Sequence, residues 1–190
     1  VIEFAEMALK SVQRLHGEIE DILQYLNAPS VGKLGTGFDL DSFKSLVTQI
    51  SETLKLDVVT ISMQEELRNT QVLLSPQAVE LAMWEILENS KKFHPQQNPT
   101  VEISVLRADT AHVRLKIQDD GLSLSPEQLS QMWTPYYQGE KYITGEVEGM
   151  GLGLATVASL VWEAGGTCRA YNREDKAGIV VELVLPFVNL

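Results

Sequence analysis

The sequence holds a single cysteine, Cys168, among 190 residues. One thiol excludes a disulfide framework and a thiolate zinc site, and it suits a reducing cytosol. Long hydrophobic runs are missing too. No apolar stretch approaches the roughly 20 residues that a membrane span needs, and no signal-peptide pattern opens the chain. Positive charge is scarce, with 15 Lys and Arg against 26 Asp and Glu and a formal net charge of −11. That balance argues against nucleic acid or an anionic membrane surface as a partner. It does not weigh against a nucleotide, which brings its own magnesium and needs only a local cradle. There are no internal repeats. What is present is a composition 44% hydrophobic, enough for one sizeable core with a small appendage.

The opening segment is patterned for a helical bundle. Val1, Ala5, Ala8, Val12, Leu15, Ile19, Ile22 and Leu26 are spaced by alternating steps of four and three, a heptad seam. Ile2, Leu9 and Leu23 widen that stripe on one flank, as bundle helices require. A lone helix has nothing here to bury its seam against except another copy or a partner, so a homodimer through residues 1–30 is expected. A helical pattern already under way at Val1 makes the chain an expected piece of something longer. A cytoplasmic location is expected for it, with any membrane anchor of the parent lying upstream.

Asn27, Ala28 and Pro29 end the helix, and Gly32, Gly35 and Gly37 mark a linker over residues 31–38. Residues 39–190 read as one domain. Asp39 caps a helix through Phe43, Leu46, Val47, Ile50 and Leu54. Short strands are expected at 58–62 and near 72–74. Ser75 and Pro76 are an N-cap and first helical residue opening a helix to about Phe93. Strands at 101–106 and 113–117 follow, then a capping box at Ser125, Pro126, Glu127 and Gln128. Residues 136–150 lack periodicity and read as a mobile loop. A helix over 152–164 and strands at 167–171 and 179–185 complete a layered α/β domain.

Three segments carry chemistry. On the helix opened by Pro76, Glu85, Asn89 and Lys92 are spaced four and three and so share a face, while Val79, Met83, Ile86 and Phe93 should pack on the sheet. A carboxamide can offer oxygen to Mg²⁺, an ammonium can neutralise phosphate and a carboxylate can take a proton. Alone, such a stripe reads as an ordinary solvated face. Asp119, Asp120 and Gly121 end a strand in a turn, where a fixed carboxylate can accept from an exocyclic amine such as adenine's. Gly149, Gly151 and Gly153 alternate just before a helix, whose unpaired N–H groups and dipole favour phosphate.

In order and spacing these segments resemble the nucleotide-binding boxes of the GHKL superfamily of gyrase, the heat-shock chaperone, histidine kinases and MutL. The match is best to the catalytic ATP-binding domain of sensor histidine kinases. Residues 85–93 look like the N box, 119–121 like the G1 box and 149–154 like the G2 box. Met132, Trp133, Thr134, Pro135, Tyr136 and Tyr137 are similar to the F box. Gly165, Gly166, Leu185, Pro186 and Phe187 also fall where that family has such residues. The resemblance covers about 38–187. It implies a two-layer α/β sandwich of the GHKL ATPase and histidine kinase type, carrying an N-terminal bundle-forming helix. It implies ATP and Mg²⁺ as cofactors, Asn89 as the metal ligand and Asp119 as the contact to the adenine amine. Lys92 and Phe93 would lie beside the nucleotide, Gly121 beside the base, and Gly149, Gly151, Leu152 and Gly153 under the triphosphate. Residues 136–150 become the ATP lid, with Lys141 a candidate phosphate contact. Glu85 stands where the family has Asn, His or Glu, and a role as base is a hypothesis.

The implied activity is transfer of the γ-phosphoryl of ATP to a histidine, for relay to the receiver domain of a response regulator. His16 is not read as that acceptor. Only one helix separates it from the ATP-binding part, so residues 1–30 resemble the second helix of the dimerisation hairpin, and His16 reads as a packed bundle residue. Ser123, Gln138 and Ile179–Val180 depart from the family pattern, at a second G1 glycine, a basic residue after the F box and a threonine beside the adenine. These departures keep open a degenerate nucleotide-binding dimerisation module, and Glu85 keeps open a GHKL ATPase in which it activates water.

Overall fold

The computed structural model describes residues 2–26, 37–138 and 150–189. The expected linker therefore lies almost wholly outside the described residues, as do Lys141 and Gly149. Helix α1 (Ile2–Leu26) precedes β1 (Phe38–Asp39), α2 (Phe43–Leu54), β2 (Val58–Met63), β3 (Thr70–Val72) and α3 (Pro76–Lys92). Then come β4 (Thr100–Arg107), β5 (His112–Gln118), α4 (Pro126–Gln131), α5 (Gly153–Glu163), β6 (Thr167–Asn172) and β7 (Ile179–Asn189).

The strands form one mixed sheet in the order β1-β3-β7-β5-β4-β2, with β6 added beside β7. Only β2 and β4 run parallel. The eleven-residue β7 is the spine: residues 179–184 pair with β6 and 187–189 with β3, while the other edge pairs with β5. Alternation along the strands puts Val101, Ile103, Val105, Val113, Leu115, Ile117, Leu183 and Leu185 on a face that is buried. Against it lie Phe43, Val47 and Ile50 of α2, Val79, Met83, Ile86 and Leu87 of α3, and Val157, Leu160 and Val161 of α5. The other face carries Glu102, Ser104, Arg114 and Lys116, so one layer of helices covers one side of one sheet: the expected two-layer α/β sandwich.

Three local expectations shift. Asp39 caps a single 3-10 turn, Leu40–Ser42, accepting from Asp41 N–H at 2.9 Å, and that turn leads into α2. Phe38, assigned to the linker, belongs to β1 and is buried. The strand expected near 72–74 lies at Thr70–Val72. Val72 and Leu74 give that stretch its apolar look because both are buried, but the chain leaves the ladder for the Ser75 cap after Leu73 N–H bonds Pro186 O.

Helix α1 approaches the domain at α5. Phe4, Leu9, Val12, Leu15, Ile19 and Leu23 are exposed along it. No helix among the described residues is long and apolar enough to cross a membrane.

Candidate functional site

Helix α3 sets the phase of the site. Ser75 Oγ accepts from Ala78 N–H at 3.2 Å, Pro76 occupies the first turn, and Val79, Met83, Ile86 and Leu87 face the sheet. Glu85, Asn89 and Lys92 then fall, half-buried, on the helix edge that looks out from the core. Phe93 does not pack on the sheet as its spacing suggested. It is 37% exposed at the end of the helix, with the Lys92 ammonium 5.8 Å from its ring centre. Phe93 is the C-cap of α3, and no further helical turn follows to cover its ring. Lys91, one residue earlier, is spent structurally on the carbonyl of Leu54 at the end of α2.

Asp119 follows β5 and is held from three directions. Its Oδ1 accepts from Gly121 N–H at 2.9 Å and from Ile179 N–H at 3.3 Å, while Oδ2 accepts from the Ser90 hydroxyl at 3.1 Å. Ser90 is buried beside Asn89, and its hydroxyl also lies 3.1 Å from Ile86 O, so one proton serves two acceptors. Gly121 is buried, and a Cβ there would stand 3.1 Å from Asp119 Oδ1 and 3.8 Å from the His94 ring. His94 Nδ1 accepts from the N–H groups of Gln96 and Asn98, which turns Nε2 towards Asp120 Oδ1 at 3.6 Å. Burial pushes the Asp120 carboxyl upward, but the Thr100 N–H at 2.7 Å and the Thr100 hydroxyl outweigh it, with His94 adding to them. The net result lies below the ordinary carboxylate range.

The third segment enters at α5. Gly151 has φ +71, its carbonyl accepts from Tyr136 N–H at 2.9 Å, and a Cβ on it would collide with Tyr137 O. Tyr136 itself sits at φ +65, and its bond to Gly151 fastens the aromatic segment to the glycine turn backbone to backbone. Leu152, buried, anchors the turn, and Gly153 is the first residue of α5. A Cβ on Gly153 would collide with Glu85 Oε2.

Of the residues singled out in the sequence, α3 thus brings together Glu85, Asn89, Lys92 and Phe93. Ser90 ties them to Asp119 and Gly121, and Glu85 ties them to Gly151, Leu152 and Gly153. Asn89 and Asp119 lie at the same end of the molecule. The sequence reading missed Ser90, Arg173 and Gly178. Arg173 donates to Asp119 O, and a Cβ on Gly178 would collide with that same oxygen. Ser123, one of the three departures, accepts from Gly178 N–H at 3.4 Å, and Ile179 reaches Asp119 through its backbone. The one thiol takes no part: burial pushes Cys168 up to about 12.

Among the described residues no group of three or more His, Cys, Asp or Glu could hold a metal ion. Glu85 and Asn89, one helical turn apart, offer one carboxylate and one carboxamide oxygen. That set suits Mg²⁺ carried by phosphate oxygens and water, and not a cation caged by protein alone.

A model of the family described as histidine kinase-, DNA gyrase B-, and HSP90-like ATPase matches residues 74–189. The sensor histidine kinase ZraS of Salmonella typhi is 22% identical over 98% of this chain and 38% of its own length. Among solved structures, full-length ShkA in complex with AMPPNP is similar over 99% of this chain and 39% of that one, with 19% identity and a TM-score of 0.73. The mycobacterial sensor histidine kinase MprB is similar over 80% of this chain and 97% of that one, with 20% identity and a TM-score of 0.66. The chain spans less than half the length of these curated relatives, 38% for ZraS and 45% for the sensor-like histidine kinase SenX3 of Mycobacterium bovis.

Proposed function

Because the chain belongs to the family of histidine kinase-, DNA gyrase B-, and HSP90-like ATPases, we propose that it is the ATP-binding catalytic region of a two-component sensor histidine kinase. The observation that carries this reading is the convergence on α3. The Asp119 carboxylate stands against Ser90, and the start of α5 stands against Glu85. Five residues of helix, about 7.5 Å of axis, separate the two contacts, so one nucleotide can touch both.

Asp119 accepts from the adenine amine, and the buried Gly121 lets the base lie close to the backbone. Phe93 lines the ligand at the exposed end of α3. Gly149, Gly151, Leu152 and Gly153 bring the N–H groups and dipole of α5 to the phosphates, with Lys92 and Lys141 neutralising charge. Asn89 supplies an oxygen to Mg²⁺. Bound magnesium ATP supplies an activated γ-phosphoryl group, and Glu85 accepts the proton of the attacking histidine. Catalysis rests on positioning and charge neutralisation. The acceptor histidine lies on a helix outside this chain, and the phosphoryl passes on to a receiver domain of a response regulator. Residues 1–30 form a dimerisation helix, 31–38 a linker and 39–190 the catalytic domain, with Phe38 joining the catalytic sheet.

Calorimetry with magnesium ATP tests the site: the unaltered chain binds, and Asp119→Asn does not. Incubation with γ-labelled ATP tests the acceptor: the chain binds nucleotide without labelling itself. Acid-labile label that disappears in His16→Gln would overturn that placement. Steady hydrolysis abolished by Glu85→Ala would move the chain to the ATPase branch of the family.

A further inference from the structure

Arg173 opens the turn from β6 to β7, and only 5% of its side-chain surface is exposed. Nε and Nη2 donate to the two oxygens of Asp175, each at 2.9 Å. Nη1 donates to Glu102 Oε1 on β4 at 3.0 Å and to Asp119 O at 3.4 Å. The pairing with Asp175 holds the guanidinium charged and Asp175 down at about 2, so this pair stays ionic near neutral pH.

A buried cation is a costly way to obtain stability alone, since an apolar side chain often serves as well. Besides pairing with Asp175 and Glu102, this one holds a peptide group, the one joining Asp119 to Asp120. The rest of the turn closes on the same place. Arg173 N–H bonds Gly178 O, and Gly178, at φ +129, leaves no room for a Cβ against the Asp119 carbonyl. Gly178 N–H reaches Ser123, and Ile179 N–H reaches the Asp119 carboxylate. Residues 173–179 are a strap across the turn that presents Asp119.

We propose that Arg173 is a positioning residue that sets base discrimination, by holding the Asp119–Asp120 peptide so that the Asp119 carboxylate faces the exocyclic amine of adenine. This rests on the nucleotide site proposed above. A carboxylate reads an amine only along a narrow range of angles. If that grip is lost, the turn shifts, the Gly121 and Ile179 N–H groups no longer aim the carboxylate, and preference for the amine is lost. The contacts to phosphate, on α3 and α5, do not change.

The test compares dissociation constants for ADP and for purine riboside diphosphate, which lacks the 6-amino group, in the unaltered chain, Arg173→Gln and Arg173→Lys. The unaltered chain should prefer ADP by roughly tenfold to a hundredfold. In Arg173→Gln that ratio should fall to about threefold or less through weaker ADP binding, with affinity for purine riboside diphosphate nearly unchanged, and Arg173→Lys should fall between. Equal weakening of both ligands, leaving the ratio intact, would show a merely structural role and overturn the proposal. Should Arg173→Gln fail to fold, as read by circular dichroism, Asp175→Asn decides, because it releases the two-pronged anchor: a reduced ratio supports the proposal and an unchanged one overturns it. No preference in the unaltered chain would overturn the adenine site itself, and this assignment with it.

Discussion

A methyl group on residue 178 would run into the Asp119 carbonyl, on a backbone at φ +129 that side chains rarely adopt. Gly178→Ala should therefore cost roughly 2–4 kcal/mol, read as a lower urea midpoint. Gly153 looks equally crowded, but the atom in its way is the tip of a flexible side chain, Glu85 Oε2. Glu85 can swing aside, and alanine gains up to about 1 kcal/mol of helix propensity over glycine. Gly153→Ala should leave stability within about 1 kcal/mol of the parent while weakening ATP in calorimetry, because the added methyl and the displaced carboxylate crowd the phosphates. Asp119→Asn keeps one oxygen for the Gly121 and Ile179 donors, and Ser90 can still donate to Ile86 O, so the fold tolerates it. The amine of adenine then loses a charged acceptor, and affinity should drop about a hundredfold, below what calorimetry detects; undiminished binding would place the base elsewhere. Asp119, Gly121 and Gly153 were legible because each residue type carries a recognisable demand, for charge or for a bare backbone. Ser90 and Arg173 were not. Their value comes from reaching Asp119 across 29 and 54 residues of sequence, and nothing local marks a serine or an arginine for that.

At the scale of elements, what could be read follows periodicity and caps. Helix α3 begins where Ser75 and Pro76 place it, and α4 carries the Ser125–Gln128 capping box in full. Ser75→Ala should lower stability by about 1 kcal/mol, and because α3 bears Glu85, Asn89 and Ser90, the loss should be partly recovered by saturating ATP in a thermal melt. The two-residue β1 and three-residue β3 are too short for any alternation to show, and only pairing, of β1 with β3 and of β3 with β7, makes them strands. Phe93 is the complementary case, a residue whose spacing fits the core face but which caps the helix at its exposed end. Helix α1 leaves Leu9, Val12, Leu15, Ile19 and Leu23 exposed in the single chain, a stripe of the kind that marks an association surface. His16, between two of these, is exposed as well, and a place inside a bundle requires a second copy. Val12→Asp together with Ile19→Asp should yield a monomer in sedimentation, with the catalytic domain still folded and still binding nucleotide. A monomeric parent chain would defeat the dimer reading.

For the molecule as a whole, one helical layer over one sheet leaves the strand ends and the first turn of α5 at a common edge, where the end of α3, the Asp119 turn and Gly153 meet. The same arrangement concentrates carboxylates in turns, and this gives the fold a defined acid limit. Asp175 is held at about 2 by Arg173, and Asp109 and Asp120 also lie below their ordinary value. In the unfolded chain these groups titrate near 3.9. A folded pKa below the unfolded one adds stability that is complete above about pH 4 and is lost as pH falls through the folded value. Stability should therefore decline between about pH 4 and pH 2, followed through urea midpoints. A competing effect has the opposite sign. The chain carries a net charge of −11 at neutral pH, so protonation first relieves self-repulsion and favours the compact state. Salt separates the two, because general repulsion is screened over about 8–10 Å, whereas a carboxylate in direct contact with a guanidinium is screened far less. In 0.5 M salt the rise towards mild acidity should flatten while the fall below about pH 4 persists, and Asp175→Asn should shallow that fall. A decline that salt abolishes, or that Asp175→Asn leaves untouched, would mean that acid acts on the overall charge and not on the Arg173 cluster.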